Sequence, residues 1–63
     1  MKEIKPGTQF RRLDAHPQGG NLVRYDYTDA YGMVWYTYLD NHPFLGNQSW
    51  MYEPFFRSQF IFA

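Results

Sequence analysis

The sequence predicts an all-β or β-dominant fold, a small curled antiparallel sheet of four or five short strands in a single domain covering residues 1–63. Three observations support this prediction. Aromatic residues make up 22% of the chain, whereas only three alanines are present, so strand-favouring residues outnumber strong helix formers. Residues 22–28 alternate in polarity with a period of two. Pro, Gly, Asn and Asp separate the strand-like segments at short intervals.

The first half of the chain predicts two strands. Residues 8–13 follow the turn signal of residues 5–7, Lys-Pro-Gly, and form the first strand. Residues 22–28 form the second, in which Val23, Tyr25 and Tyr27 alternate with a polar set. We therefore expect those three side chains to share one face of the sheet.

The second half predicts a hairpin and a mixed C-terminal segment. Residues 29–32 form the turn, because Asp bonds to nearby backbone and Gly accepts a positive φ. Residues 33–39 form the third strand, which is apolar on both faces and is either covered on both sides or bears an exposed aromatic row. Residues 49–53 form the fourth strand and Pro54 ends it. A helical turn at 54–58 and a short strand at 60–62 complete the chain.

The edges and the core of such a sheet follow from its size. A meander of short strands must curl to protect its edges, and an SH3-like or OB-like barrel is the closed form of that arrangement. Fourteen residues are aromatic but only eight are Ile, Leu or Val. Since the aliphatic residues cannot build a sufficient core alone, we expect most of the aromatic side chains to be buried.

A nine-residue pattern, Leu-Asp-x-His-Pro-x-x-Gly-Asn, occurs at residues 13–21 and again at 39–47. One interpretation is structural: the Leu ends a strand pointing inward, the Asp accepts hydrogen bonds from backbone amides, and Gly-Asn provides positive φ. On this interpretation the pattern is a strand–strand loop used twice. A functional interpretation comes from topology, because alternate loops of a meander lie at the same end of the sheet.

That topology places Asp14, His16, Asp40 and His42 on one rim. Two imidazoles and two carboxylates can bind a divalent metal or form a pH-sensitive contact patch. The metal is the weaker alternative, since the spacing lacks the helical scaffold of established metal motifs. We therefore predict a protein-contact rim and no metal site.

A second candidate contact surface is the strand face predicted to carry Arg24, Tyr36 and Tyr38. Tyrosine and arginine are enriched at the centres of protein interfaces. The same face suggests an alternative, in which tyrosines stack on single-stranded nucleic acid and Arg11, Arg12 and Arg24 contact phosphates. A net charge of zero and interleaved acids weigh against that alternative.

Composition argues against several classes of function. The chain has no cysteine, and neither Ser49 nor Ser58 lies in a nucleophile motif, so we expect no enzyme and no cofactor. A phosphate-binding glycine loop is absent from the sequence. No apolar run is long enough to span a membrane and no secretory leader is evident, so we expect a cytoplasmic protein.

The sequence therefore predicts a non-enzymatic protein-interaction module. By analogy of size alone, it is comparable to the small accessory proteins of phages and mobile elements that inhibit a host complex, such as anti-CRISPR proteins. A homodimer is a second form of protein partnership for so small a core. The alternative is a small nucleic-acid-binding β-barrel that uses Arg and Tyr on its sheet face.

Overall fold

The computed structural model describes residues 4–40 and 46–63, which form an antiparallel sheet and one short helix. The elements are β1 (Gln9–Arg12), β2 (Leu22–Thr28), β3 (Met33–Tyr38), β4 (Gln48–Tyr52), α1 (Glu53–Gln59) and β5 (Phe60–Phe62). The β-dominant prediction is confirmed, and every predicted element lies within one residue of its observed bounds. Among the described residues, no helix has the length and apolar character needed to cross a membrane.

The five strands lie in the order β4-β3-β2-β1-β5. Strands β1 to β4 form the predicted meander, and α1 then carries the chain back so that β5 pairs with β1. Within the described part of the chain β4 and β5 are both edge strands, so the sheet is curled but open. The closed SH3-like or OB-like barrel is therefore not formed.

The hairpin between β2 and β3 turns at residues 29–32, as predicted. The Gly32 amide donates to the Asp29 carbonyl at 3.1 Å, and the Asp29 amide donates to the Met33 carbonyl at 3.0 Å. Gly32 has a φ of 83°, a conformation that glycine adopts without a steric penalty. The turn therefore depends on the aspartate and the glycine from which it was predicted.

The core lies on one face of the sheet, beneath α1. Seven side chains there are at most 7% exposed. They are Phe10, Val23, Tyr25, Val34, Tyr36, Phe56 and Phe60. Phe56 is the helix residue that fills the centre, because its ring lies 5.0 Å from that of Phe10 and 4.8 Å from that of Phe60. We call the opposite side of the sheet the open face.

The expectation that most aromatic residues are buried is wrong. Of the aromatic residues described, five are buried and six are exposed. The exposed ones are Tyr27, Tyr31, Trp50, Tyr52, Phe55 and Phe62. Leu13, expected to point inward, is 50% exposed. For Tyr27, Trp50 and Tyr52 the reason is geometric, because a helix of seven residues covers one face of one sheet and side chains on the other face stay in contact with solvent. The others are exposed because Tyr31 lies in the hairpin turn, Phe55 lies on the outer side of α1 and Phe62 lies at the end of an edge strand.

A register shift in β2 overturns the predicted shared face of Val23, Tyr25 and Tyr27. Tyr25 pairs with Tyr36 of β3, whereas Tyr27 pairs with Trp35, so Asp26 is the extra residue of a β-bulge. Since Tyr36 and Trp35 point to opposite faces, Tyr25 joins the core and Tyr27 lies on the open face. This one-residue insertion creates the surface described next.

Candidate functional site

Three aromatic side chains form a row across the open face, one from each of three adjacent strands. The aromatic row consists of Tyr27 of β2, Trp35 of β3 and Trp50 of β4. Each member is paired in register with the next. The rings of Tyr27 and Trp35 are stacked with centroids 5.9 Å apart, and those of Trp35 and Trp50 are tilted at 6.5 Å. Cross-strand aromatic pairs of this kind stabilise a sheet and hold the rings in one orientation.

The central ring of the row is held by the hairpin turn. The Trp35 Nε1 donates a hydrogen bond of 2.9 Å to a carboxylate oxygen of Asp29. The other oxygen of Asp29 accepts the backbone amides of Tyr31 at 2.9 Å and Met33 at 3.0 Å. The bond from the Trp35 indole, followed by that from the Met33 amide, lowers the pKa of Asp29 below its ordinary value of 3.8. The carboxylate is therefore ionised at neutral pH and fixes Trp35 before any partner arrives.

The outer members of the row are open to solvent. Tyr27 is 49% exposed and Trp50 is 56% exposed, and Tyr52, on the same face of β4, is 48% exposed. With about 200 Å² for an aromatic side chain, these three leave roughly 300 Å² of aromatic surface in water. A patch of that size lies in the range, about 300–600 Å², of patches that are often functional in monomeric proteins.

A polar cluster lies beside the row on the same face, and the carboxylate of Asp26 is its centre. Asp26 accepts hydrogen bonds from Thr37 Oγ1 at 2.7 Å, Gln48 Nε2 at 3.0 Å and Arg24 Nε at 3.0 Å. Burial raises the pKa of Asp26, but these three hydrogen bonds outweigh it and the pKa is lowered overall. The bulge that turns Tyr27 outward is thus secured through the side chain of its extra residue.

The predicted rim is assembled only in part. Asp40 reaches across to the first loop, where it accepts the backbone amides of Gly20 at 3.1 Å and Asn21 at 2.6 Å. This contact confirms that the two loops lie at the same end of the sheet. Both carboxylate oxygens of Asp40 thus accept hydrogen bonds from backbone amides, so the side chain has a structural role. His42 lies outside the described residues.

Asp14 and His16, the other two rim residues, line a shallow cleft of about 300 Å³ near the end of α1. The Nδ1 atom of His16 accepts the Gln18 amide at 3.2 Å. Asn21 bonds to both the amide and the carbonyl of His16, at 2.6 and 3.0 Å. In residues 4–40 and 46–63 no three His, Asp or Glu side chains group as metal ligands.

The predicted strand face of Arg24, Tyr36 and Tyr38 is not formed. Tyr36 is 2% exposed and lies in the core, where burial raises the pKa of its hydroxyl and a hydrogen bond with Ser49 opposes that rise. Tyr38 lies on the same side, with its ring 5.7 Å from that of Tyr36. Arg24 lies on the open face, paired with Asp26. Alternation along β3 explains the difference, since the residue between the two tyrosines that points to the open face is Thr37, which is itself buried and not aromatic.

The three arginines of the nucleic-acid alternative do not share one surface. Arg12 lies on the core side, with its guanidinium 4.7 Å above the Phe60 ring and hydrogen bonds to Gly20 O and Gln59 Oε1. Arg11 and Arg24 both lie on the open face, where Arg24 is paired with an acid. A phosphate-binding track would need their charges aligned and available.

Sequence reasoning missed Tyr27, Trp50 and Tyr52. A signal for the last two was present, because Ser-Trp-Met-Tyr in residues 49–52 alternates and places both rings on one face. Tyr27 had no such signal, since its position depends on the bulge at Asp26. The prediction nearest to the observed aromatic row is the alternative in which residues 33–39 bear an exposed row of aromatic side chains.

The chain matches no known protein family, no curated protein and no solved structure. Its function is therefore inferred from the arrangement of its own side chains.

Proposed function

We propose that this chain is a non-enzymatic protein-interaction domain that binds its partner with the aromatic row. The observation that carries the proposal is the ladder of Tyr27, Trp35 and Trp50, whose half-buried central ring is held by Asp29 and whose two outer rings are exposed to solvent. Tryptophan and tyrosine dominate the energetic centres of protein interfaces, because they bury a large area with few rotatable bonds.

The surroundings of the row support a protein partner. Trp35 is already held by Asp29, so binding does not have to order the central ring. Gln48, which is exposed, and Asp26, which is half-buried, place polar groups beside the rings. An apolar centre beside a polar border is the usual composition of an interface. A domain of this size that covers a partner's surface acts most directly as an inhibitor of whatever else binds there.

Single-stranded nucleic acid is the second candidate, since exposed aromatic faces also stack on bases. The ionised carboxylates of Asp26 and Asp29 beside the row weigh against it, because both would face a polyphosphate. Of the arginines predicted to contact phosphates, Arg11 and Arg24 lie on this face. Arg24 is paired with Asp26, so Arg11 is the exposed arginine left to contact a phosphate. We therefore rank this function below protein binding.

The test is affinity capture from a bacterial lysate with the parent, a Tyr27→Ser/Trp50→Ser variant and a Tyr31→Ser control. Tyr31 is 85% exposed in the hairpin turn and is outside the row, so it controls for the loss of an exposed ring. We expect a partner that survives nuclease treatment, is retained by the control and is lost by the double variant. Circular dichroism must show that all three proteins are folded.

Two results would contradict the proposal. If the double variant retains the same partner, the aromatic row is not the binding surface. If capture disappears with nuclease and also in an Arg11→Glu variant, the nucleic-acid function is correct. The inhibitory role is tested next, by asking whether the chain displaces a natural ligand from the captured partner.

A further inference from the structure

The edge strand β4 presents a regular set of backbone groups to solvent. The Glu53 amide donates to the Gly32 carbonyl, so position 53 points its backbone toward the β3 side. Backbone direction alternates along an antiparallel strand, and Ser49 and Met51 therefore also face β3. The N–H groups of Gln48, Trp50 and Tyr52 and the C=O groups of Gln48 and Trp50 consequently point away from the sheet, whereas the Tyr52 carbonyl, at the N-cap of α1, accepts the first hydrogen bond of the helix.

This edge lacks the features that usually prevent strands from pairing. Natural edge strands are shortened or carry charged residues, proline or bulges that block a neighbour. The β4 sequence from Gln48 to Tyr52 has five residues with no charge and no proline. The opposite edge, β5, has only three residues and is therefore protected by its length. Among the described strands, β4 is the edge that can accept another strand.

The outward groups are symmetrical about Trp50, the middle residue of β4. We propose that β4 pairs antiparallel with β4 of a second copy about a two-fold axis that passes beside Trp50, perpendicular to the sheet. In this register Trp50 lies opposite Trp50 of the second copy, and Gln48 lies opposite Tyr52. The two Trp50 residues then exchange a pair of backbone hydrogen bonds, and the Tyr52 amide of each copy donates to the Gln48 carbonyl of the other, as an isologous two-fold interface requires.

The choice of a second copy follows from the self-complementarity of this edge. An axis at Trp50 leaves no charged residue opposite a like charge, because β4 contains none. It also continues the aromatic row, which ends at the edge with Trp50, into the row of the second copy. The two-fold axis uses both β4 edges and closes the assembly at two copies. Because the axis is perpendicular to the sheet, the open face on β2 and β3 remains uncovered, so the dimer does not depend on the proposed function.

The size of the contact predicts a dimer that dissociates on dilution. Trp50 and Tyr52 together expose roughly 200 Å² of side chain, using about 200 Å² for each aromatic residue. The strand edge adds to that area, but the total remains below the roughly 800 Å² per partner of a standard interface. Sedimentation velocity over a wide concentration range is therefore the appropriate measurement.

The first test removes one outward N–H and keeps the fold. Tyr52 has a φ of −59°, which proline also adopts, and its amide faces outward, so Tyr52→Pro should not break a bond to β3. Tyr52→Ala is the matched control, because it loses the same ring and keeps the amide. We expect the parent and Tyr52→Ala to form dimers of twice 7.6 kDa. Tyr52→Pro should weaken dimerisation at least tenfold more than Tyr52→Ala does.

The second test reports the register and does not rely on the proline variant folding. The chain has no cysteine, so one introduced cysteine can form a disulfide only with another copy. Paired residues of this type have Cα atoms about 5.5 Å apart, within the range that a disulfide spans. Trp50→Cys should cross-link with itself, and Gln48→Cys should cross-link with Tyr52→Cys when the two are mixed. Ser58→Cys, exposed on α1, is the control for random collision.

The outcomes separate the proposal from its alternatives. A parent that stays monomeric at millimolar concentration overturns it. A dimer that Tyr52→Pro and Tyr52→Ala affect equally, with cross-linking at Ser58→Cys as efficient as at Trp50→Cys, places the interface elsewhere and also overturns it. If Tyr52→Pro is unfolded by circular dichroism, the cysteine variants decide alone.

Discussion

Replacing Phe56 tests the whole arrangement of helix against sheet. Phe55 and Phe56 are adjacent and chemically identical, yet Phe56 is 1% exposed and Phe55 is 60% exposed. The Phe56 ring contacts three core rings, at 5.0 Å from Phe10, 5.6 Å from Tyr36 and 4.8 Å from Phe60. The same substitution at the two positions should therefore have very different effects.

The magnitude follows from burial. Removing a fully buried phenylalanine side chain costs about 3–5 kcal/mol, including the cavity it leaves. A 63-residue domain has a total stability of roughly 3–9 kcal/mol at the usual value per residue. Phe56→Ala should thus unfold the protein at 25 °C if its stability is in the lower part of that range, and should remove at least about a third of the stability in the upper part. Phe55→Ala should change the free energy of unfolding by no more than about 0.5 kcal/mol.

Urea denaturation followed by tryptophan fluorescence and circular dichroism measures both effects. A milder variant, Phe56→Leu, keeps the site apolar and should cost about 1–2 kcal/mol, which leaves a transition that can still be measured. If Phe56→Ala costs less than about 1 kcal/mol, or if Phe55→Ala costs as much, then α1 does not pack on the sheet as described and the reasoning fails.

Three further predictions concern side chains that shape the turns and loops. Asp29 has a lower pKa in the folded state than in the unfolded state. The stability that it contributes is therefore present above about pH 4 and is lost as the pH falls through the folded-state pKa. In urea denaturation, acidification should lower the midpoint less steeply for Asp29→Asn than for the parent. Asp40→Ala removes the acceptor of two amides and should cost about 1–3 kcal/mol, with faster hydrogen exchange at Gly20 and Asn21; unchanged exchange at both would contradict the loop contact. Gly32→Ala places a Cβ at a φ of 83° and 3.4 Å from Tyr52, and should cost about 1–2 kcal/mol in thermal unfolding, whereas an unaffected melting temperature would mean that the turn is built differently.

The sequence predicted the elements well because local signals determine them. The alternation in residues 22–28, the Asp-Ala-Tyr-Gly turn and Pro54 beside a short apolar helix are each readable within a few residues. The positive φ of Gly20 and Gly46 was likewise predicted from the glycine alone. Element bounds follow from such local preferences, whereas the faces of the strands follow from pairing between distant residues.

The proposed binding face could not be predicted for that reason. Its key residue, Tyr27, is turned outward by a bulge at Asp26, and that bulge is secured by Thr37 and Gln48 from two other strands. No pattern within β2 indicates it. The same limitation misplaced Tyr36, because the side of β3 that α1 covers is decided by the position of Phe56. A one-residue change in register reverses every face assignment beyond it.

The repeated Leu-Asp-x-His-Pro-x-x-Gly-Asn pattern illustrates how equal residues acquire unequal roles. Asp40 of the second copy supports the Gly20-Asn21 end of the first, by accepting both amides. The reverse contact is not made by the described residues: the Gly46 amide donates to the Tyr38 carbonyl, and Asp14 is exposed in the cleft beside His16. Conserving the loop chemistry in both copies therefore does not make them equivalent. The structural interpretation accounts for Asp40, whereas the side chains of Asp14 and His16 in the first copy are exposed to solvent.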